Sequence, residues 1–491
     1  MSLLIGLDIG TSVLKGILVS SEGVQIARST RNVEFLRPKP GYVEIDPEAH
    51  YRSVCELIRE LVSKAPSGSR IDALSMAAAS GNSLLLDKSN RPLINIISWL
   101  DERALNTSRE LLPDLDRAEF FRINGWRWTE LFPFAQMAWH RRYAPEAYGR
   151  AARFCMNSDY LLFRLTGRWG MDPSTATTFY FQNQLEMKWH KPHLQIMGIG
   201  EDQVSEIRPS GSVLGPLSRE GAQYTGLDRS TLGVLGAFDH PCAARGTGCL
   251  DVGDLLLSCG TSWVSFYPTE NRELALSEVM LIDPFLRPSG PWGVMAALTA
   301  IAVNIDWWVD NVINRERKNG KARYELLDEG AVRAAPGAGG LYINPFEEIR
   351  SYSEPVKKIT TSFSKDQISR ALMEGAVFEM RRKIVQLAEA GLRANRITMV
   401  GGPTNSPVWP RMVAEITGLD MRLLNGQTAG ALGAAVLAAI GAGLFKNERE
   451  AFGAMGGTAE ILKPDPVEVD RYIGVYAEYL KAYPQSKKPV K

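Results

Sequence analysis

The chain has 491 residues and a net charge of +1, from 56 basic and 55 acidic side chains. This length predicts two large domains with an appendage rather than a single core. The balanced charge argues against a nucleic-acid partner or an anionic membrane surface. The five cysteines form no CxxC pair, and the N-terminus has no basic segment or cleavage site. These features argue against zinc and disulfide frameworks and predict a cytoplasmic protein. Residues 429–445, rich in Gly and Ala, are expected to form a packed interior helix rather than a membrane span.

The first predicted element is a buried strand that ends in polar residues. Residues 3–7 are mostly apolar, and Asp8, Gly10, Thr11 and Ser12 follow before a second apolar strand. The glycine lets backbone N–H groups approach an anion, the hydroxyls add donors, and the carboxylate suits Mg²⁺ or its waters. The segment is therefore either a phosphate- and metal-binding hairpin or an ordinary tight hairpin.

Helical and strand patterns alternate along the next part of the chain. Asp46-Pro47 predicts a helix start, with an N-cap and a proline at the first helical position, and residues 71–79 form a strand pattern. This alternation predicts an α/β fold. Further on, Trp99, Asp101 and Arg103 occupy alternate positions after a strand, so they share one side if the chain stays extended.

A second strand end carries a candidate catalytic group. Residues 166–181 are expected to be loop and strand, whereas residues 232–237 form an apolar strand that continues into Asp239 and His240. A helix of small residues follows at 241–248. Asp239 is the best candidate for the base that an alcohol acceptor needs, with a helix N-cap as the alternative. His240 either assists it or is structural.

The opening pattern occurs a second time about 250 residues later. Residues 254–266 again form strand, Gly-Thr-Ser and strand, with Gly260 and Thr261 at the turn, and a later strand ends in Gly401-Gly402. The repetition predicts two domains of related architecture. Two such hairpins could hold a triphosphate, and the glycine pair could let an adenine lie flat on the backbone. Lys15 either reaches the transferring group or is an exposed strand lysine.

The ordered set of motifs resembles the FGGY carbohydrate kinases over nearly the whole chain. No single motif is specific, but their order and separations together are. They are DIGTS at 8–12, WLDER at 99–103, AFDH at 237–240, SCGTS at 258–262, GGPTNSPVWPRM at 401–412 and ALGAA at 431–435.

The resemblance implies an α/β fold of two actin-like, ribonuclease H-like ATPase domains with an interdomain active-site cleft. Residues 1–244 would form the sugar-binding domain, residues 245–445 the ATP-binding domain and residues 446–491 a helical extension. The implied activity is xylulokinase-like phosphorylation of a small sugar, polyol or sugar acid by ATP with Mg²⁺, and homodimers are common in the family. The alternatives are a non-catalytic sugar- and ATP-binding regulator and an actin-like ATPase.

The same resemblance and the residue patterns give a set of expected site residues. Asp239 is the expected general base, and Asp8 is expected at the metal. The expected ATP-side residues are Gly10, Thr11, Ser12, Lys15, Gly260, Thr261, Gly401, Gly402 and Asn405. The expected acceptor-side residues are Asn82, Trp99, Asp101, Arg103, Asp239 and His240.

Two departures from the xylulokinase pattern concern the acceptor. Residues 79–82 read Ala-Ser-Gly-Asn where xylulokinases have Gln-Met-His-Gly, and His240 stands where they usually have Asn. The side chains that would recognise a ketopentose at this place are absent, so the pattern points to a different acceptor.

Overall fold

The computed structural model describes residues 2–79, 81–105, 108–260, 263–298, 301–314, 322–345, 362–424 and 428–484. The described strands, in chain order, are β1 Leu3–Ile9, β2 Val13–Ser20, β3 Gln25–Asn32, β4 Glu44–Ile45, β5 Ile71–Ala78, β6 Ser83–Leu86, β7 Ile96–Ile97, β8 Arg153–Met156, β9 Gln182–Asn183, β10 Lys188–Trp189, β11 Val213–Pro216, β12 Leu232–Val234, β13 Ala237–Phe238, β14 Asp254–Cys259, β15 Trp263–Thr269, β16 Leu281–Asp283, β17 Trp292–Leu298, β18 Arg396–Gly401, β19 Asp420–Leu423 and β20 Glu460–Leu462.

The described α-helices are α1 Pro47–Ser63, α2 Ser108–Leu111, α3 Arg117–Asn124, α4 Pro133–Tyr143, α5 Pro145–Arg150, α6 Asn157–Thr166, α7 Pro173–Phe179, α8 Lys191–Met197, α9 Arg219–Thr225, α10 Asp239–Thr247, α11 Arg272–Ser277, α12 Ile301–Trp308, α13 Glu325–Arg333, α14 Lys365–Ala390, α15 Trp409–Thr417, α16 Ala429–Gly441, α17 Glu448–Met455 and α18 Pro466–Ala482. None of the helices in the described ranges is both long and apolar enough to cross a membrane.

By their internal contacts the residues form two compact units, and neither is continuous in sequence. Unit 1 comprises residues 1–250, 268–294 and 428–457, and unit 2 comprises residues 251–267, 295–427 and 458–491. The predicted domain boundaries at 244/245 and 445/446 follow the chain and stay a prediction. Helices α16 and α17 belong to unit 1, whereas the later helix α18 belongs to unit 2.

Unit 1 is built on a mixed sheet of order β11-β12-β5-β1-β2-β3, with β13 also pairing with β5. Strands β1, β5 and β12 run parallel, β2 pairs antiparallel with β1, and β3 pairs antiparallel with β2. Helix α1 covers one face, where Leu57 and Leu61 pack so close to the sheet that a Cβ at Gly16 would meet both. Helix α16 covers the other face with alanine and valine side chains.

Unit 2 repeats this topology. Its sheet contains the strands β20-β19-β18-β14-β15 in this order. As in unit 1, an antiparallel hairpin, here β14–β15, lies beside two strands parallel to its first member, β18 and β19, and an antiparallel edge strand. The two related α/β domains predicted from the repeated hairpin are therefore present.

The local signals for helix starts give mixed results. Asp46 caps α1 by accepting hydrogen bonds from the N–H groups of Glu48 and Ala49, as predicted. The expectation of loop and strand over 166–181 is wrong, because α7 occupies part of this range with Asp172 as its N-cap and Pro173 at its first position. Helix α18 buries Tyr472, Tyr476 and Tyr479, so these tyrosines form a packing face.

Candidate active site

The turn between β1 and β2 presents a carboxylate and an ammonium group side by side. Asp8 and Lys15 face each other across the two strands, and Lys15 Nζ lies 3.5 Å from Asp8 Oδ2. The Asp8 side chain is 15% exposed and that of Lys15 is 40% exposed. Burial raises the pKa of Asp8, Lys15 lowers it, and the neighbouring carboxylate of Asp239 raises it again. The pair is thus accessible at the end of the strand and electrostatically coupled to Asp239.

Sheet topology explains why Asp8 and Asp239 are neighbours. Both β1 and β13 run parallel to β5, one on each side, and Ala77 of β5 is the register partner of both Asp8 and Ala237. Two inter-strand spacings separate β1 from β13, a distance of about 10 Å. The carboxyl ends of parallel strands meet at one edge of a sheet, so both carboxylates lie at that edge.

Asp239 is the first residue of α10 and keeps 32% of its side-chain exposure. Its Oδ1 accepts a hydrogen bond of 2.7 Å from the backbone N–H of His240, and the His240 Nε2 atom lies 3.9 Å from the same oxygen. Burial raises the pKa of Asp239, while His240 and Lys15 lower it. The His240 ring packs edge-on against Phe238 at 5.3 Å between centroids. A carboxylate held in this way can accept a proton from an alcohol.

Helix α16 begins directly against the Asp8 carboxylate. A Cβ placed on Gly430 in its first turn would lie 3.2 Å from Asp8 Cγ. The helix is held close to its neighbours by glycines, since a Cβ on Gly433 would lie 1.7 Å from the Cys242 carbonyl oxygen of α10. The contact also places α10, which carries Asp239, directly against α16.

Trp99 connects the acceptor-side motif to the β1–β2 turn. Its indole Nε1–H donates a 2.9 Å hydrogen bond to Thr11 Oγ1, and its backbone N–H donates to Asn82 Oδ1 at 3.0 Å. Asn82 is buried. Gly81 has a positive φ of 79°, and a Cβ there would collide with Phe132 and Trp99. Asn82 therefore orients Trp99, and Trp99 in turn orients Thr11.

Asp101 and Arg103 form a closed, buried ion pair. The Asp101 side chain is 0% exposed, and it accepts hydrogen bonds from the Val43 N–H at 2.6 Å and from Arg103 Nε at 2.7 Å. Arg103 also donates to Glu44 at 2.6 Å and lies over the ring of Tyr42 at 4.2 Å. All these groups are satisfied by the protein, which leaves Trp99 as the member of the motif that faces the β1–β2 turn.

The extended chain assumed for this motif is not what forms. β7 ends at Ile97, and the following residues turn, because Asp101 Oδ1 accepts the backbone N–H of Arg103 at 2.9 Å. Trp99, Asp101 and Arg103 consequently do not line one side of a strand. The direct acceptor contacts expected of Asp101 and Arg103 stay predictions.

The β14–β15 side of unit 2 contains a separate cavity of about 720 Å³. Gly260, Gly402 and Asn405 line it, so three of the expected ATP-side residues lie at one cavity. A Cβ on Gly402 would meet nothing within 4 Å, whereas Gly401 has a φ of 107° and a Cβ there would lie 2.1 Å from the Cys259 carbonyl oxygen. Gly401 is thus required by strand packing, and Gly402 leaves its surface open to a ligand. Thr261, also expected here, lies outside the described residues.

Several cavity residues were not expected from the sequence. Trp263 and Trp409 pack edge-on at 5.1 Å, and Asp328 accepts a 2.8 Å hydrogen bond from Ser406 Oγ. Burial raises the pKa of Asp328, and the Ser406 hydroxyl lowers it. Ser406 stands inside the 401–412 motif, so the sequence held a signal for it. Asp328 comes from α13, which no motif marked.

The remaining members of the β1–β2 turn are explained by the turn itself. A Cβ on Gly10 would lie 2.8 Å from the Val13 carbonyl oxygen, so the tight hairpin requires a glycine there. The carbonyl of the exposed Ser12 accepts from the Val33 N–H at 2.9 Å. Their expected contacts with phosphate stay predictions.

Comparisons with known proteins match this architecture. The model described as "FGGY family of carbohydrate kinases, N-terminal domain" matches residues 3–246, and its C-terminal counterpart matches residues 255–442. A xylulose kinase of Bacillus subtilis (strain 168) is 27% identical over 99% of this chain and 98% of that protein. An autoinducer-2 kinase of Salmonella choleraesuis is 25% identical over 91% of this chain and 87% of that protein.

A solved structure extends the likeness to the fold. The crystal structure of xylulose kinase from Rhodospirillum rubrum superposes with a TM-score of 0.86 at 25% identity, covering 98% of both chains. The predicted fold class, α/β with two actin-like domains, is confirmed.

Proposed function

Because this chain belongs to the FGGY family of carbohydrate kinases, we propose that Asp239 is the general base that activates the acceptor hydroxyl. The reaction transfers the γ-phosphoryl group of ATP to a hydroxyl of a small sugar, polyol or sugar acid. The observation that carries the proposal is the partly exposed Asp239 carboxylate beside Asp8 and Lys15 at one edge of the unit 1 sheet. A base near the nucleophile and opposite charges near the transferring group are what phosphoryl transfer requires.

The phosphate side of the proposal rests on the β1–β2 turn. Gly10, Thr11 and Ser12 offer backbone N–H groups and hydroxyls to phosphate oxygens, and Lys15 offers an ammonium group within reach of Asp8. Phosphoryl transfer needs positioning and charge neutralisation more than covalent chemistry. Lys15 is therefore assigned to the charge that develops on the transferring group.

Mg²⁺ belongs to the proposal through Asp8. Within the described part of the chain, no three His, Cys, Asp or Glu residues converge as a protein metal cage. Mg²⁺ is commonly held by one or two carboxylates together with substrate phosphates and waters, and the hard oxygens of Asp8 fit that role. When bound, the ion neutralises phosphate charge.

The nucleotide is assigned to the cavity of unit 2. Its volume suits a small-molecule ligand, and Gly402 leaves room for a flat ring against the backbone. Gly260 and Asn405 line the same cavity. Gly401, next to Gly402, and Thr261, next to Gly260, complete the assigned set.

The acceptor is assigned to Trp99 and His240, with the buried Asn82 orienting Trp99. The indole face offers an apolar surface for sugar C–H groups, and His240 offers a ring nitrogen next to the base. Asp101 and Arg103 act from behind as positioning residues, because their charged groups are fully engaged. Relatives named xylulose kinase support a carbohydrate acceptor, whereas the departures at 79–82 and 240 favour one other than xylulose.

Two further expectations complete the proposal. A cytoplasmic location is supported by the five cysteines, all of which are buried and none of which forms a disulfide. A homodimer is expected from the resemblance alone, and sedimentation velocity measures it.

The test is the Asp239→Asn variant in a coupled ADP-release assay over pentuloses, hexuloses, tetritols, glycerol and aldonic acids. We expect acceptor-stimulated turnover to fall by at least about 10²-fold, because an amide cannot take the proton, while ATP affinity stays nearly unchanged. Asp116→Asn is the matched control, since Asp116 is an exposed helix N-cap in the same unit. Normal turnover in Asp239→Asn would refute the assignment of the base. ATP binding without acceptor-stimulated ADP release by the wild type would instead indicate a regulator.

A further inference from the structure

A buried hydrogen-bond chain ends at the residue that precedes Asp239. The backbone N–H of Phe238 donates to Ser174 Oγ at 3.1 Å, and that hydroxyl donates to Asp283 Oδ2 at 2.5 Å. Ser174 and Asp283 are 2% and 0% exposed. They come from α7 and β16, two elements far apart in sequence, and both belong to unit 1.

The chemistry of the three groups determines which atom donates and which accepts in each of the two hydrogen bonds. An ionised carboxylate can only accept, so the Ser174 hydroxyl uses its single proton on Asp283. One of its lone pairs then remains for the Phe238 N–H. Burial raises the pKa of Asp283 to about 6, and Ser174 and Arg245 lower it, so the carboxylate is mainly ionised above neutral pH. The arrangement cannot reverse without leaving a buried donor or acceptor unsatisfied.

A second set of contacts holds the same helix from its other end. Arg245, near the end of α10, donates to the carbonyl of Phe285 at 2.5 Å, and Asp283 Oδ1 accepts the Phe285 N–H at 2.8 Å. The Arg245 side chain is buried and also pairs with Glu448. The contacts therefore close a ring from Phe238 through Ser174, Asp283, Phe285 and Arg245 back to α10.

We propose that Ser174 and Asp283 are a positioning pair for Asp239, an inference that rests on the role assigned to Asp239 above. The pair fixes the junction between β13 and α10, and so the direction in which the Asp239 carboxylate leaves the backbone. A general base must lie within hydrogen-bond reach of the proton it accepts, and a displacement of about 1 Å can cost about 10²-fold in rate.

The test compares two matched serine substitutions. Ser174→Ala removes the acceptor of the Phe238 N–H and the donor to Asp283. Ser205→Ala is its control, because Ser205 Oγ donates to the buried Asp159 at 2.6 Å in the same unit, and Ser205 lies in the segment between α8 and β11. We expect both to lower the melting temperature, but only Ser174→Ala to lower kcat, by at least about tenfold, with the KM for ATP unchanged.

Equal kcat values for the two variants, measured below their melting temperatures, would overturn the proposal. A rise in KM without a fall in kcat would also overturn it, because a misplaced base affects the chemical step. If Ser174→Ala does not fold, Asp283→Asn replaces it, since the amide oxygen still accepts one of the two hydrogen bonds. The proposed function fails separately, through normal turnover in Asp239→Asn.

Discussion

At the scale of single residues, the indole N–H of Trp99 is the contact whose loss should be most informative. Its 2.9 Å hydrogen bond to Thr11 Oγ1 joins the proposed acceptor surface to the phosphate-side turn. Trp99→Phe keeps an aromatic face but removes the donor. We expect kcat to fall about fivefold, whatever the change in the KM for the acceptor. A fivefold fall is equivalent to about 1 kcal/mol, the contribution of one hydrogen bond.

A double-mutant cycle separates this contact from the loss of indole area. In a Thr11→Val background the hydrogen bond is already absent. The loss of transition-state stabilisation caused by Trp99→Phe, measured from kcat/KM, should therefore be about 1 kcal/mol smaller there than in the wild type. Additive effects of the two substitutions on kcat/KM would show that the contact has no role in turnover.

The neighbours of Trp99 illustrate what the sequence could and could not predict at this scale. The motif marked Trp99, Asp101 and Arg103 as a group, and the structure pairs Asp101 with Arg103, whereas Trp99 bonds to Thr11. Their alternation suggested a shared strand face, but the local hydrogen bond from the Arg103 N–H to Asp101 turns the chain. The partners that bury the ion pair, Glu44 and Tyr42, come from another segment. No local pattern encodes such a tertiary contact.

At the scale of elements, the crossing of α10 and α16 sets the position of the helix that carries Asp239. A Cβ on Gly433 would lie 1.7 Å from the Cys242 carbonyl oxygen, and a backbone atom cannot move aside cheaply. We expect Gly433→Ala to separate the two helices, lowering the melting temperature by several degrees and kcat with it. Differential scanning fluorimetry and the ADP-release assay measure the two effects.

Gly453→Ala is the matched control for this crossing. Gly453 lies inside α17, also in unit 1, and a Cβ there would meet nothing within 4 Å. Because alanine favours a helix over glycine by about 0.5–1 kcal/mol, this variant should be slightly more stable than the wild type and fully active. Wild-type stability in Gly433→Ala would contradict the close crossing.

Helix α7 shows where the reading of elements failed. Asp172-Pro173 is the same N-cap and proline pair that correctly predicted α1 at Asp46-Pro47. The threonines and aromatic residues that follow have a high strand propensity, and the prediction of loop and strand gave this propensity more weight than the N-cap and proline pair. Burial of the whole helix in unit 1 decides the outcome, since tertiary packing overrides weak local propensity.

At the scale of the whole molecule, the repeated hairpin predicted two related domains but not which segments build them. Residues 268–294, which begin at the end of the second hairpin, pack in unit 1, where they supply Asp283. The repeat also differs in its chemistry. Ser258 stands two residues before Gly260, as Asp8 stands two before Gly10, so the second hairpin lacks the carboxylate. This difference could be predicted from the sequence, whereas the discontinuous make-up of the two units could not, because it depends on tertiary packing.

The pH dependence of stability also belongs to the whole molecule, because it sums over buried carboxyl groups. Burial raises the pKa of Asp159 from 3.8 to about 7, against the lowering effects of Ser205, the Met156 N–H and Arg153. The folded state therefore binds a proton that the unfolded state releases near pH 4. The stability that this group contributes is complete below pH 3.8 and is lost as the pH rises through about 7.

Asp159→Asn should remove this dependence while keeping the local contacts. The amide oxygen can accept from the Met156 N–H, and the amide nitrogen can donate to Ser205, so the two hydrogen bonds of Asp159 have replacements. A rise in pKa from 3.8 to about 7 corresponds to about 4 kcal/mol. The melting temperature of the variant relative to wild type should therefore be several degrees higher at pH 8 than at pH 5. Asp116→Asn is the control. Backbone hydrogen bonds lower the pKa of Asp116, so this carboxyl group titrates below pH 5. The difference in melting temperature between this variant and the wild type should therefore be the same at pH 5 and pH 8. A pH-independent difference for Asp159→Asn would mean that Asp159 is ionised in the folded protein across the whole range.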